Sequence, residues 1–407
     1  MRKSRMPAEK NGTEETPDSF EAALSLLLDQ LGQVLSNPEA ASHTVSRYVP
    51  AAELDARLNL SLGDEGSDAS ELLEALQSYM QYTPKTWAPE FSKLLFSGFN
   101  APGILADWVT SVSNSTMHTY QVAPVACLME RELVRALNQR VGFNDGDGIM
   151  VSGGSMANMV AMLLARNRKA PHVREQGASG RPLVAYVSEQ AHYSYEKAAN
   201  ILGIGTRNLV KIESDDRGRL CPQSLSHAIE RSLSLNRLPF FIGLTAGTTV
   251  VGAFDTVAPA SVLARKHDLW LHIDGAWGGP VLFSQKHRHL LPDTSLADSF
   301  TWDAHKLMNI PLIASLILVK DSQALRSACA GGGGDYLFHR DENAEYNSGD
   351  KSLQCGRRVD ALKFWLSWKA TGARGYARKI DRLMALKDCP GDARASIRQP
   401  VRNVAVQ

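Results

Sequence analysis

The chain has 407 residues, 44% of them hydrophobic, with 44 Lys plus Arg against 43 Asp plus Glu and a formal net charge of +1. That is enough for one large α/β domain with appendages, or for two or three domains. The balanced charge lacks the basic excess that a phosphate backbone attracts, so no nucleic-acid partner is expected.

Residues 1–16 have the composition of a disordered tail; the start is basic, but no apolar stretch follows, unlike a secretory signal. From Pro17, which suits a first helical turn, Phe20, Leu24, Leu27, Leu31, Val34 and Leu35 repeat at helical spacing. Helical patterns broken by Pro and Gly continue, which predicts an N-terminal helical segment over 17–115. From about residue 148 the texture changes. "GIMVS", "PLVAYVS", "FFIGLTAG", "LWLHID", "SFTW" and "SLILVKD" read as strands without polar/apolar alternation, as for strands buried on both faces. Helical stretches such as 155–168 and 256–267 lie between several of them. This βαβ texture predicts a mainly parallel sheet flanked by helices, in a large α/β domain over 116–386. The apolar run "IPLIASLILV" at 310–319 is shorter than the ~20 residues that span a bilayer, so no membrane partner is expected. Five cysteines (Cys127, Cys221, Cys329, Cys355 and Cys389), none in a C-x-x-C pair, argue against a disulfide framework and a thiolate zinc site. They fit a reducing, cytoplasmic setting.

In such sheets ligands bind beyond the carboxyl ends of the strands, so chemically useful residues should follow them. After "GIMVS" come Gly153, Gly154 and Ser155, opening a helix whose free amides suit a phosphate. After "LVAYVS" comes His192, whose flat ring could stack on an aromatic cofactor. After "LWLHI" comes Asp274, a carboxylate that needs a positive partner or a donor. After "SFTWDAH" comes Lys306, an amine between two segments that read as buried. Each alone has an ordinary reading: a plain strand-to-helix connection, a structural histidine, a surface lysine. A metal site built on His272 and Asp274, completed by His287 and His289, is imaginable but disfavoured, because no further ligand has characteristic spacing. Together, a phosphate cradle, a stacking imidazole, a carboxylate and an amine on successive strand ends form the set that pyridoxal phosphate requires. Its phosphate wants a helix N-terminus, its aldehyde an amine nucleophile, and its pyridine nitrogen an acid that keeps it protonated.

The segments "SGGSMANM", "SEQAHYSYEKAA", "TAGTTVVGAFD", "HIDGAWGG", "TWDAHKLMNIPL" and "SGDKSLQCGRRVDALKFWLSWKATG" resemble the group II pyridoxal-phosphate-dependent amino-acid decarboxylases. The nearest branch is that of glutamate, aspartate and cysteine-sulfinate decarboxylases, and the resemblance runs from about residue 48 to about 386. It implies the fold-type-I architecture of aspartate aminotransferase, a seven-stranded type of sheet, and a homodimer with active sites at the interface. It implies decarboxylation of a small acidic amino acid to its amine and carbon dioxide. Lys306 matches the Schiff-base lysine, Asp274 the partner of the pyridine nitrogen, and His192 the stacked imidazole. Ala276 is placed against the ring, Gly154 and Ser155 in the phosphate loop, and Thr301 and His305 among further cofactor contacts. Tyr336, beside the four glycines 331–334, matches a lid tyrosine that returns a proton to Cα. Transamination, carbon–sulfur cleavage, and a non-catalytic remnant that dimerises are the alternatives.

Three departures from that pattern stand out. Many relatives read Asn-Pro-His-Lys where this chain reads Asp303-Ala304-His305-Lys306. Glutamate decarboxylases carry an Asn-Gln pair where Lys93 and Leu94 stand, which argues against glutamate itself. The family's small C-terminal domain, with a carboxylate-gripping arginine, has no counterpart in 387–407, an atypical tail without helical or strand period. The expectation is weak cofactor binding or poor activity unless that part is supplied.

Overall fold

The computed structural model describes residues 20–36, 45–88, 91, 94–96, 98–330 and 342–386. Contacts divide the chain into two units, Met1–Phe99 and Asn100–Gln407. The first contains α1 (Phe20–Ser36), α2 (Ala51–Arg57) and α3 (Ala69–Tyr82). Asp68 caps α3 by accepting the Glu71 amide, as an N-cap aspartate does.

The larger unit opens with α4 (Ala101–Ser113) and α5 (Pro124–Val141). The sequence placed α4 with the N-terminal segment ending at 115, but its packing assigns it to the larger unit. A Cβ on Gly103 would collide with Pro311, and Asn100 Nδ2 donates to the Asn309 carbonyl at 2.8 Å. Then follow β1 (Asp147–Val151), α6 (Gly154–Lys169), α7 (Val173–Gln176), β2 (Leu183–Ser188), α8 (Ser194–Ile201) and β3 (Leu209–Ile212). After them come α9 (Pro222–Ser234), β4 (Leu238–Thr245), α10 (Val257–His267), β5 (Trp270–Asp274) and β6 (Ser299–Asp303). The chain continues with β7 (Ser315–Val319), α11 (Ala324–Cys329) and α12 (Asp360–Ala385).

The strands form one seven-stranded sheet, ordered β1-β7-β6-β5-β4-β2-β3. β7 runs antiparallel to β1 and β6; the other pairings are parallel. Apart from the edge strand β3, where Lys211 is exposed, the strand interiors are buried on both faces, and the side-chain period of two divides them between two cores. Val184, Tyr186, Ile242, Leu244, Leu271, Ile273, Phe300 and Trp302 join the core that includes α5 and α12. Ala185, Val187, Phe241 and Trp270 join the one that includes α6 and α8.

Two strands depart from an all-apolar pattern. Trp270, His272 and Asp274 share one face of β5, and Ser299, Thr301 and Asp303 share the same face of β6, in register His272↔Ser299 and Asp274↔Thr301. Their apolar partners, Leu271, Ile273, Phe300 and Trp302, fill the opposite core. The polar row is buried as thoroughly as the apolar one and faces α6. No described helix is long and apolar enough to cross a membrane.

Candidate active site

The sheet brings the ends of β1, β5 and β6 together under the start of α6. Gly153, at φ 117°, turns the chain out of β1 and supplies no side-chain cap, leaving the first amides of α6 available to a ligand. The space where a Gly153 Cβ would point is open. Gly154 differs: a Cβ there would lie 2.6 Å from Asp303 Oδ2. Its missing side chain therefore makes room for a carboxylate of this chain. Ser155 is exposed in the first turn.

One turn into α6, buried Asn158 organises the polar row. Its Nδ2 donates to Asp274 Oδ2 at 2.7 Å and to Ser194 Oγ at 3.0 Å. Its Oδ1 accepts from Thr301 Oγ1 at 2.8 Å and faces His272 Nε2 at 3.1 Å. Because the amide nitrogen is committed to a carboxylate, Oδ1 is the acceptor and His272 carries its proton on Nε2. His272 Nδ1 then accepts from Ser299 Oγ at 2.8 Å, and that oxygen takes the Trp270 indole N–H at 2.7 Å. Complete burial pushes the His272 pKa down to about 4, against the pull of Asp274, so the imidazole is neutral. Asp274 Oδ1 also accepts the backbone amide of buried Ala276 at 3.1 Å.

Half-buried His192 lies after β2; its Nδ1 accepts the Ser194 amide at 3.2 Å and its ring sits 4.3 Å from that of Tyr193. Burial lowers its pKa, Asp274 and Asp303 raise it, and Lys306 lowers it, so the imidazole shares one electrostatic environment with all three. Lys306 Nζ lies 3.0 Å from Asp303 Oδ2 and keeps about a fifth of its side chain exposed. The other Asp303 oxygen accepts from Ser315 Oγ at 2.6 Å, across the β6–β7 pairing. His305 Nδ1 accepts the Ala314 amide at 3.2 Å, and its Nε2 is 3.7 Å from Asp303 Oδ2.

Most of the residues singled out from sequence therefore lie around these strand ends, with two exceptions in detail. Thr301, expected among the cofactor contacts, is fully buried with its hydroxyl on Asn158, inside the network behind Asp274. Tyr336, the glycines 331–334, Lys93 and the tails 1–16 and 387–407 lie outside the described residues. The imagined metal cluster does not assemble: His287 faces Asp381, and His289 Nδ1 bonds the Lys286 carbonyl. Among the described residues no group of three or more His, Cys, Asp or Glu is placed to hold a metal ion. Sequence reasoning missed Asn158 and Ser315. The alternation in W-L-H-I-D and S-F-T-W-D was the available signal, since polar residues on one face of a buried strand need a partner opposite.

These residues fit pyridoxal phosphate. The uncapped α6 terminus suits a phosphate, an acid held by two donors suits a ring nitrogen, and an amine lies at the end of the neighbouring strand. Fold and site together define a fold-type-I pyridoxal-phosphate enzyme. Residues 51–393 match the family described as the pyridoxal-dependent decarboxylase conserved domain, and the chain belongs to that family: it is a pyridoxal-phosphate-dependent amino-acid decarboxylase. Cysteine sulfinic acid decarboxylase of Mus musculus is 39% identical over 372 residues, covering 90% of this chain and 76% of that protein. Acidic amino acid decarboxylase GADL1 of Bos taurus is 39% identical over 345 residues, 84% of this chain and 66% of that protein. The crystal structure of mouse CSAD in apo form superposes with a TM-score of 0.85 at 38% identity, covering 90% of this chain and 78% of the other. Oryza sativa TDC with PLP and tryptamine shares the fold, with a TM-score of 0.81 at 22% identity over 92% of this chain and 79% of the other.

Proposed function

We propose that the substrate is a small acidic L-amino acid, with cysteine sulfinate, aspartate and glutamate as the candidates, converted to the corresponding amine and carbon dioxide. The observation that carries the chemistry is the pair Lys306 and Asp274 at the ends of the adjoining strands β6 and β5, with Asn158 fixing the Asp274 carboxylate. The substrate class rests on the relatives, cysteine sulfinic acid decarboxylase and acidic amino acid decarboxylase GADL1.

In this reading Lys306 would hold the cofactor, as the amine that its aldehyde requires. Asp274 holds the ring nitrogen's proton, with Asn158 and the Ala276 amide fixing the carboxylate. His192 would stack on the ring, Gly154, Ser155 and His305 would hold the phosphate end, and Thr301 would act through Asn158. When bound, pyridoxal phosphate supplies the electron sink for the pair left behind as carbon dioxide departs. Tyr336 is assigned the return of a proton to the substrate Cα.

The working unit is proposed to be a homodimer in the cytoplasm. On α4, Leu105, Val109 and Val112 recur at i, i+4 and i+7 and are exposed, as are Val125 and Leu128 on α5. An apolar helical stripe of this kind suits a subunit interface. The four described cysteines are all free, in keeping with a reducing compartment.

The test is to measure carbon dioxide release from the three candidate acids alongside neutral and aromatic amino acids, together with borohydride fixation of the cofactor on the chain. Release from an acidic substrate, with fixation abolished in Lys306→Ala, is the expected result. Turnover confined to aromatic amino acids, or fixation persisting in Lys306→Ala, would refute the assignment.

A further inference from the structure

We propose that Asp303 is a positioning residue for Lys306: it pairs with the amine and competes with the cofactor for it, setting how tightly the chain keeps pyridoxal phosphate. This rests on the cofactor and not on the choice of substrate.

Asp303 is 2% exposed, yet its carboxylate touches three parts of the site and lies 3.7 Å from His305 Nε2 as well. One oxygen is 3.0 Å from Lys306 Nζ, the other takes the Ser315 hydroxyl at 2.6 Å, and the group packs against Gly154. Ser315 stands opposite Asp303 in the β6–β7 register, so the strand pairing itself aims the carboxylate. The missing side chain at Gly154 leaves the space that the carboxylate fills. The arrangement is a built receptor for the Lys306 amine, separate from Asp274, whose oxygens go to Asn158 and the Ala276 amide.

Charge-assisted hydrogen bonds in partly buried sites are among the stronger ones. To bond the aldehyde carbon, Lys306 must give up the ammonium proton and free its lone pair. The N–C bond then forms, and the carbonyl oxygen leaves as water with the two remaining amine hydrogens. Asp303 stabilises the state before this step. It also receives the amine again whenever a substrate amine displaces it. Asparagine at this position would keep the bond to Ser315 and the shape against Gly154 while removing the charge that holds the ammonium.

The test uses the cofactor-free full chain titrated with pyridoxal phosphate, and separately with pyridoxamine phosphate, which has the phosphate but no aldehyde. Asp303→Asn should bind pyridoxal phosphate roughly tenfold more tightly, with a change of less than about threefold for pyridoxamine phosphate. Ser315→Ala, which loosens the carboxylate without changing any charge, should move pyridoxal phosphate affinity the same way by roughly threefold, and it stands as the test if Asp303→Asn fails to fold. Unchanged or weaker pyridoxal phosphate binding in Asp303→Asn would overturn the proposal. Equal tightening of both probes would overturn it too, since the carboxylate would then be acting on the phosphate and not on Lys306.

Discussion

Asn158 donates to Asp274 at 2.7 Å with its nitrogen while its oxygen receives Thr301 at 2.8 Å. An amide used at both ends can be held in only one orientation, and here that orientation links the acid on β5 to the hydroxyl on β6. Asn158→Ala would leave Asp274 with the Ala276 amide as its remaining described donor and Thr301 without its closest acceptor. Bonds to charged groups are worth about 1.5–3 kcal/mol. The variant should therefore lose cofactor affinity by roughly ten- to a hundredfold, with a fall in kcat at saturating cofactor. Since Asn158 lies behind Asp274, away from the substrate, KM should stay within about threefold. Cofactor titration followed by steady-state kinetics checks both.

His272 gives the same network a pH signature. Its ordinary pKa of 6.5 falls to about 4 through burial, so the unfolded chain binds this proton more readily than the folded one between those values. Stability therefore falls as pH drops through that window and levels out below it. A shift of this size corresponds to about 3 kcal/mol at full extent. Asp255, raised by burial to about 6, has the opposite slope over much of the same range, so the wild-type curve alone would mask the effect. The comparison of His272→Gln with wild type isolates it: the stability gap between them should narrow by about 3 kcal/mol from pH 7 to pH 4 in denaturant titrations. A gap independent of pH would show that His272 is not held neutral.

The two adjacent glycines should respond differently to alanine. Gly153 has open space but sits at φ 117°, where an L side chain is strained, so Gly153→Ala meets a backbone cost that no neighbouring change can relieve. Gly154→Ala places a methyl group on the Asp303 carboxylate, which Ser315 and Lys306 hold in place. Combining Gly154→Ala with Asp303→Ala should restore most of the lost stability, while Asp303→Ala should do nothing for Gly153→Ala. Thermal melts of the three single and two double variants, with wild type, form two double-mutant cycles, with coupling of roughly 1–3 kcal/mol expected in the Gly154 cycle alone.

Much of this site was legible because its residues follow strands whose apolar runs mark them. Gly154, His192, Asp274 and Lys306 each stand within a few residues of a strand end, and the topology brings such ends together. Asn158 was not legible, since an asparagine inside a helix carries no sign of what it faces across 116 residues of chain. Asp303 was visible as a departure from a family pattern, but its contact with Gly154 depends on β6 lying beneath the start of α6. On β5 the shared side of His272 and Asp274 suggested only a disfavoured metal site, and the matching row on β6 went unread because strands buried on both faces are expected to be apolar on both. His272 shows the physical reason: with both ring nitrogens hydrogen-bonded, a polar side chain can be buried like an apolar one. The reach of α4 into the larger unit was hidden as well, because Gly103 against Pro311 is a long-range fit with no local trace.

The position of the phosphate cradle depends on β1, an edge strand with β7 as its single neighbour. Its outer edge is covered by side chains. The Met150 amide donates to Glu130 Oε1 at 2.9 Å, and the Met150 carbonyl accepts from Arg357 Nη1 at 3.1 Å. Arg357 and Glu130 are themselves joined by two bonds of 2.7 and 3.0 Å, both residues being buried. Arg357→Ala would strand the Glu130 carboxylate, and breaking a buried pair from one side costs about 3–5 kcal/mol. The double variant Glu130→Met with Arg357→Met removes both charges but leaves the Met150 amide and carbonyl unpaired, at about 1–3 kcal/mol each. Denaturant unfolding should therefore rank wild type above the double variant, and the double variant above Arg357→Ala. Gly153 follows Met150 by three residues, so both variants should also lose cofactor more readily on dialysis. Were the double variant as stable as wild type and as retentive of cofactor, the side-chain clamp on β1 would have no part in positioning the cradle.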